Sequence, residues 1–234
     1  MSRLISTVRL DLRLQVRYGF YYAAAFVTLL WIALLYPLPP SVRQLATPLV
    51  VFAELAVIGY YFIAGMVLFE KGERTLSAIV TTPLRFEEYL GSKLATLTMM
   101  AIAASLILVL AAYGTGFDAA LLVLGVILTS VISMLAGFIS VLPFDQITRY
   151  LIPSQLPLTL ISVPLIPFLD IWHNPIFYLF PTHGPLLLLG SAFDTNPLTT
   201  WQLLYAVIYG LLWVFVLAFV ARKMFIRYVV SGGR

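Results

Sequence analysis

There is no cysteine in this chain, and His173 and His183 are its only histidines. Disulfides, thiolate metal sites and a cysteine nucleophile are therefore excluded. Asp170 and His173, three residues apart, are too few to hold zinc. Charge is scarce as well. Only 10% of the 234 residues are Asp, Glu, Lys or Arg, while 62% are hydrophobic and the mean hydropathy is +1.00. Soluble domains are about 25% charged and about 45–50% apolar, so the composition describes an integral membrane protein. The net charge of +4 comes from only 14 basic residues, with no clustered basic face of the kind nucleic acid requires. No Gly-x4-Gly-Lys-Ser/Thr loop is present, so the chain cannot bind and hydrolyse ATP by itself. A Gly-x-Ser-x-Gly elbow is missing too.

What remains are long apolar runs. A helix needs about 20 residues to cross about 30 Å of hydrocarbon, and six such segments fit: residues 18–38, 48–69, 94–113, 119–142, 151–169 and 201–220. The fifth carries Pro153, Pro157, Pro164 and Pro167. Residues 170–200 contain only a short apolar run and are expected to form an outer interfacial or re-entrant segment. Positive charge collects on cytoplasmic loops. With six crossings, thirteen of the 14 Lys and Arg share one side, Arg43 alone lies opposite, and both termini face the cytoplasm. The expectation is one all-α transmembrane domain over residues 1–234 in the cell membrane, with no inverted repeat of the secondary-carrier kind.

Four segments stand out. Residues 1–17 are basic and, wound as a helix, align Leu4, Ile5, Val8, Leu12 and Val16 beside Arg9, Arg13 and Arg17, a pattern suited to a lipid interface. Residues 70–93 hold eight of the chain's 24 charges. Within them Leu76, Ile79 and Val80 fall on one face of a short helix, which Thr75 can cap and Pro83 ends. That apolar ridge needs a membrane surface or a groove on a partner. Glu54 lies inside the second crossing, where an ionised group facing lipid costs about 2.5–3.5 kcal/mol. It reads either as a contact for a cationic or zwitterionic substrate or a gate residue, or as a protonated or hydrogen-bonded packing residue partnered by Tyr60, Tyr61 or another helix. The proline-rich fifth crossing, which contains Pro164, could line a path or simply form an irregular interface.

Glu70-Lys71-Gly72-Glu73-Arg74-Thr75-Leu76, Thr82-Pro83-Leu84, Glu87-Glu88-Tyr89-Leu90 and Lys93 resemble the signature of type-2 ABC exporter permeases, although Arg74 stands where that family usually has Gly. The resemblance implies an N-terminal elbow helix, a cytoplasmic coupling helix at residues 75–81 between the second and third crossings, and an outer re-entrant hairpin before the last. It implies that Glu70, Glu73, Arg74 and Lys93 frame the coupling helix and that Thr75, Leu76, Ile79, Val80 and Pro83 belong to it. ATP and Mg would bind a separate ATP-binding cassette subunit, none being held by this chain. A second permease copy or close relative would complete a path through which Glu54, Tyr60, Tyr61 and Pro164 contact a small molecule. Among such permeases the chain looks most like drug-efflux members, including the fluoroquinolone-export kind, and the aromatic content of 14% suits an amphipathic cargo. A membrane scaffold and a secondary carrier, neither with an ATPase partner, are the alternatives.

Overall fold

The computed structural model describes residues 3–73, 75–76, 85–195 and 198–231, and all the secondary structure among them is helical. The first helix, α1 (Arg3–Arg17), meets α2 (Phe20–Leu35) at 62°. Gly19 makes the bend with φ of 78°, a left-handed conformation that glycine adopts without the Cβ penalty. Helix α2 has 16 residues, about 24 Å at 1.5 Å each, so it is shorter than the crossing expected at residues 18–38.

Helix α3 (Pro40–Gly72) extends beyond the apolar run at residues 48–69 at both ends and contains Pro48. A proline stops a helix less surely when packing supports it, and Pro48 is buried. Helix α4 (Phe86–Ala112) likewise begins eight residues ahead of the expected 94–113. Helix α5 (Ala119–Val141) starts where Asp118 accepts the N–H groups of Ala120 and Leu121, at 2.9 and 3.1 Å, an N-cap of the usual kind.

After α6 (Ile147–Tyr150), the segment expected to cross at residues 151–169 is instead divided into α7 (Gln155–Ser162) and α8 (Leu165–Phe168). Its four prolines lack the N–H groups that would carry a continuous helix. A 3-10 turn (Pro175–Leu179) and α9 (His183–Ser191) follow, and α9 is wedged among α3, α5 and α10. Helix α10 (Thr200–Phe225) ends in a π-helical turn (Ile226–Val230). Among the described residues four helices, α3, α4, α5 and α10, are long and apolar enough to cross a membrane, and the bent α1–α2 pair brings the number to five.

Charge is sorted along this bundle. Arg17–Glu73 at 3.7 Å, Lys71–Asp145 at 3.3 Å and Arg222–Glu87 at 3.3 Å all lie at the end where α3 and α10 finish and α4 begins. At the opposite end Arg43 donates to the carbonyls of Ala112, Tyr36 and Leu38, at 3.0, 2.6 and 2.8 Å. Arg43, the one Lys or Arg on that side among the described residues, thus caps the carboxyl ends of α2 and α4.

Helices α3 and α5 form the centre of the bundle, and their approach depends on Gly137. A Cβ there would lie 2.3 Å from the carbonyl oxygen of Tyr60, too close for any rotamer change to relieve. Small residues let membrane helices approach to backbone contact in this way. Gly137→Ala is expected to destabilise the fold by about 1–3 kcal/mol, the usual cost of overpacking. Gly91→Ala on α4, where a Cβ meets nothing within 4 Å, is expected to gain up to about 1 kcal/mol. Thermal unfolding of the two variants in detergent checks the opposite signs.

Candidate functional site

The charged end is organised around Lys93 on α4. Its Nζ donates to Asp11 Oδ1 on α1 at 2.8 Å and to Glu70 Oε1 on α3 at 2.5 Å. The remaining oxygens are also matched: Ser92 donates to Asp11 Oδ2, and Tyr89 donates to Glu70 Oε2 at 2.6 Å. The Lys93 ammonium lies 4.7 Å from the centre of the Tyr89 ring. Asp11, Glu70 and Lys93 are all buried. Beside them Gln15 Nε2 donates to Thr96 Oγ1 at 2.7 Å. Asp11 and Gln15 are one turn apart on α1 and face α4, while Ile5, Leu12 and Val16 are exposed. These apolar side chains of α1 are thereby left exposed, and Asp11 and Gln15 are used for packing.

Burying two carboxylates against one ammonium is favourable only when each lone pair is matched, and these side chains match all four carboxylate oxygens. The cluster joins α1, the end of α3 and the start of α4. Lys71 adds a second tie, donating to the carbonyls of Leu142 and Phe144 at 2.6 and 2.8 Å past the end of α5. The segment between α3 and α4 is therefore attached to two helices held from several sides.

Of the residues expected to frame or form the coupling helix, Glu70 and Lys93 meet directly, and Glu73 pairs at the surface with Arg17. Thr75 donates through Oγ1 to the carbonyl of Glu70 at 3.1 Å. Leu76 is only 3% exposed and packs into this chain's own core, so it anchors the segment instead of offering a free ridge. Arg74, Ile79, Val80 and Pro83 lie outside the described residues.

The four expected path residues do not converge. Glu54 is 4% exposed and accepts from Thr28 Oγ1 of α2 at 2.9 Å, not from Tyr60 or Tyr61. Its Oε2 has no partner among the described residues. It borders a narrow apolar pocket with Ile58, Met100, Ala104 and Ser105 that leaves about 20 Å³, room for roughly one water. Tyr60 instead donates to Ser140 Oγ at 2.7 Å and to the Ser154 carbonyl at 3.2 Å, and Tyr61 bonds Ser154 Oγ at 3.1 Å and receives Gln155 Nε2 at 2.7 Å. With Tyr150, these groups stitch α3 and α5 to the broken α6–α7 segment. Pro164 stands at the start of α8, apart from both sets.

Sequence reasoning missed Asp11, Gln15 and Thr28, and gave Lys71 no role beyond its place in the signature. One signal for Asp11 was present: it is the single acid in an N-terminal segment with four arginines. Removing Lys93 would strand two buried carboxylates, which typically costs 3–5 kcal/mol. Lys93→Met is expected to lower the unfolding temperature in detergent sharply. Adding Asp11→Asn and Glu70→Gln should restore most of the loss, because the stranded charges go with it.

The family model of the fluoroquinolones export permease protein family matches residues 2–233. Two proteins from two strains of Mycobacterium tuberculosis, each named a fluoroquinolones export permease protein, are 43% identical to this chain over 232 residues. The match takes in 99% of this chain and 98% of each relative.

Proposed function

Because this chain belongs to the fluoroquinolones export permease family, we propose that it is the membrane-spanning subunit of an ATP-driven exporter, one that moves an amphipathic aromatic drug such as a fluoroquinolone out of the cell. The observation that carries this reading is the arrangement at the charged end. A segment between two long helices is tied through Asp11, Glu70 and Lys93 to three elements at once. The ends of α3 and α4 that flank residues 75–81 are thereby held to one another and to α1, so a push delivered to either helix end is shared by the others. The chain has no phosphate loop of its own, so the force comes from a separate ATP-binding cassette subunit that holds ATP and Mg.

In this reading the charged end faces the cytoplasm, an orientation that the distribution of Lys and Arg supports. Leu76 fixes the segment to the permease, and Ile79 and Val80 supply the ridge that enters the ATPase. Closure of two ATPase subunits on ATP favours one arrangement of the permease pair over another, the differential affinity on which any ligand-driven switch depends. Two copies, or this chain and a close relative, enclose the path. The α6–α8 region suits a path wall because its prolines give it several short pieces where a straight helix would be one rigid rod. Tyr60, Tyr61 and Pro164 border it. Glu54 meets the basic amine of the cargo once α2 and α4 part, since its pocket in this conformation has no room for a drug.

Two experiments follow, both in inverted vesicles holding the permease and a candidate ATP-binding cassette subunit from the same organism. Ile79→Asp is expected to abolish ATP-driven fluoroquinolone uptake and co-purification of the ATPase, while leaving membrane insertion intact. Normal uptake would remove the coupling assignment. Glu54→Gln is expected to reduce drug stimulation of ATP hydrolysis at least 5-fold with the basal rate kept, and an unchanged response would return Glu54 to packing.

A further inference from the structure

The end of the bundle opposite Lys93 contains a crevice of about 600 Å³, bounded by the start of α3, α8, the 3-10 turn, α9 and the start of α10. It is far larger than the space beside Glu54, and its size falls in the range of pockets that hold drug-sized molecules. Phe168, Phe177 and Tyr178 supply aromatic lining. Tyr178 is held in place by stacking on Trp201 at 5.6 Å and by an edge contact with His183 at 4.7 Å. The polar side chains of the lining are Asp170, His173, Asn174, His183, Thr195 and Gln202. Asp170 and His173 stand at the exposed mouth, 3.1 Å apart. His183 also lines the crevice, is 6% exposed, and its Nδ1 has no hydrogen-bond partner among the described residues.

Each of these facts bears on what could bind. No Lys or Arg is among the described residues that line the crevice, and Asp170 is its one carboxylate there, so the local field favours a cation over an anion. Asp170 holds φ of 60°, a left-handed conformation uncommon outside glycine and found where surrounding structure imposes it. Burial pushes the His183 imidazole down to about 4, so it is neutral at physiological pH and offers a hydrogen bond without a charge. Aromatic faces, one anionic mouth and one buried neutral imidazole together match a flat ring system with an aliphatic amine at one end.

We propose that this crevice is a second drug station, one that takes an aromatic amine of fluoroquinolone size with its rings against Phe177 and Tyr178 and its ammonium at Asp170. The assignment rests on the export reading above and extends it: cargo would occupy the crevice on the outward side, after leaving the path beside α3. Ligand binding displaces the His173 imidazole from Asp170 and gives the stranded Nδ1 of His183 a partner.

The absence of cysteine makes a direct test possible. The probe is norfloxacin, with the permease alone in lipid nanodiscs and a cysteine introduced at a single position. Leu187 lines the crevice and is half-buried, whereas Thr200 is exposed and outside it. Norfloxacin is expected to slow thiol labelling of Leu187→Cys at least 5-fold while leaving Thr200→Cys unchanged. Adding Asp170→Asn, which tolerates the same backbone conformation, should raise the half-protecting concentration at least 5-fold. Equal labelling with and without drug, equal protection at both positions, or protection indifferent to Asp170→Asn would overturn the proposal. Failure here alongside normal ATP-driven uptake in vesicles removes the crevice and leaves the exporter standing. Protection without ATP-driven uptake keeps the crevice and removes the exporter.

Discussion

One ammonium between two carboxylates, all three out of water, sets the conditions for the rest of this fold. Lys93 could not be buried without Asp11 and Glu70, and neither acid could be buried without Lys93 and the hydroxyl groups of Ser92 and Tyr89. Because the three charges come from α4, α1 and α3, their matching fixes how those helices stand to one another. Hydrophobic packing alone would not do this within a bilayer, where lipid tails are as apolar as leucine side chains. A polar cluster has one arrangement in which every group is satisfied.

Away from that cluster, the bundle is held by backbone proximity and by small polar ties. Gly137 brings α5 against the carbonyl of Tyr60, and Gly184 brings α9 against Ala206 of α10, where a Cβ would meet the Ala206 Cα at 2.7 Å. Hydroxyl groups on Tyr60, Tyr61, Ser140 and Ser154 then attach the proline-broken segment to this packed centre. The molecule thus pairs one end fixed by buried charge with another in which short pieces surround a crevice. Stiffness where force would enter and irregularity where cargo would pass is a reasonable division for a membrane pump.

Much of this was legible in the residues. The fourth apolar run, 119–142, matches α5 nearly to the residue because Asp118 marks its start and Pro143 follows its end. The last run matches α10 as well, except that the helix carries on to Phe225 through Arg222 and Lys223. Hydropathy ends at the first charges, whereas backbone hydrogen bonds continue through them, and for that reason α3 and α4 also outrun their apolar cores. The division of residues 151–169 was foreshadowed by four prolines, but not where the breaks would fall. Asp11 stayed hidden for a different reason. Its partner lies 82 positions away, and no periodicity within one segment reports a contact across the chain. Glu54 was recognised as an acid that should not face lipid, yet Thr28 as its partner depended on how α2 packs.

The account rests on a separate ATPase engaging the segment between α3 and α4. A cysteine placed at Ala78, in a chain that otherwise has none, reads that contact directly when the permease is co-expressed with a candidate ATP-binding cassette subunit from the same organism and treated with a short thiol-to-amine crosslinker. The account predicts one permease–ATPase adduct, formed from the cytoplasmic side and changed in yield by ATP. A residue 78 that joins nothing but lipid or another permease, or that an impermeant reagent labels from outside intact cells, would contradict it.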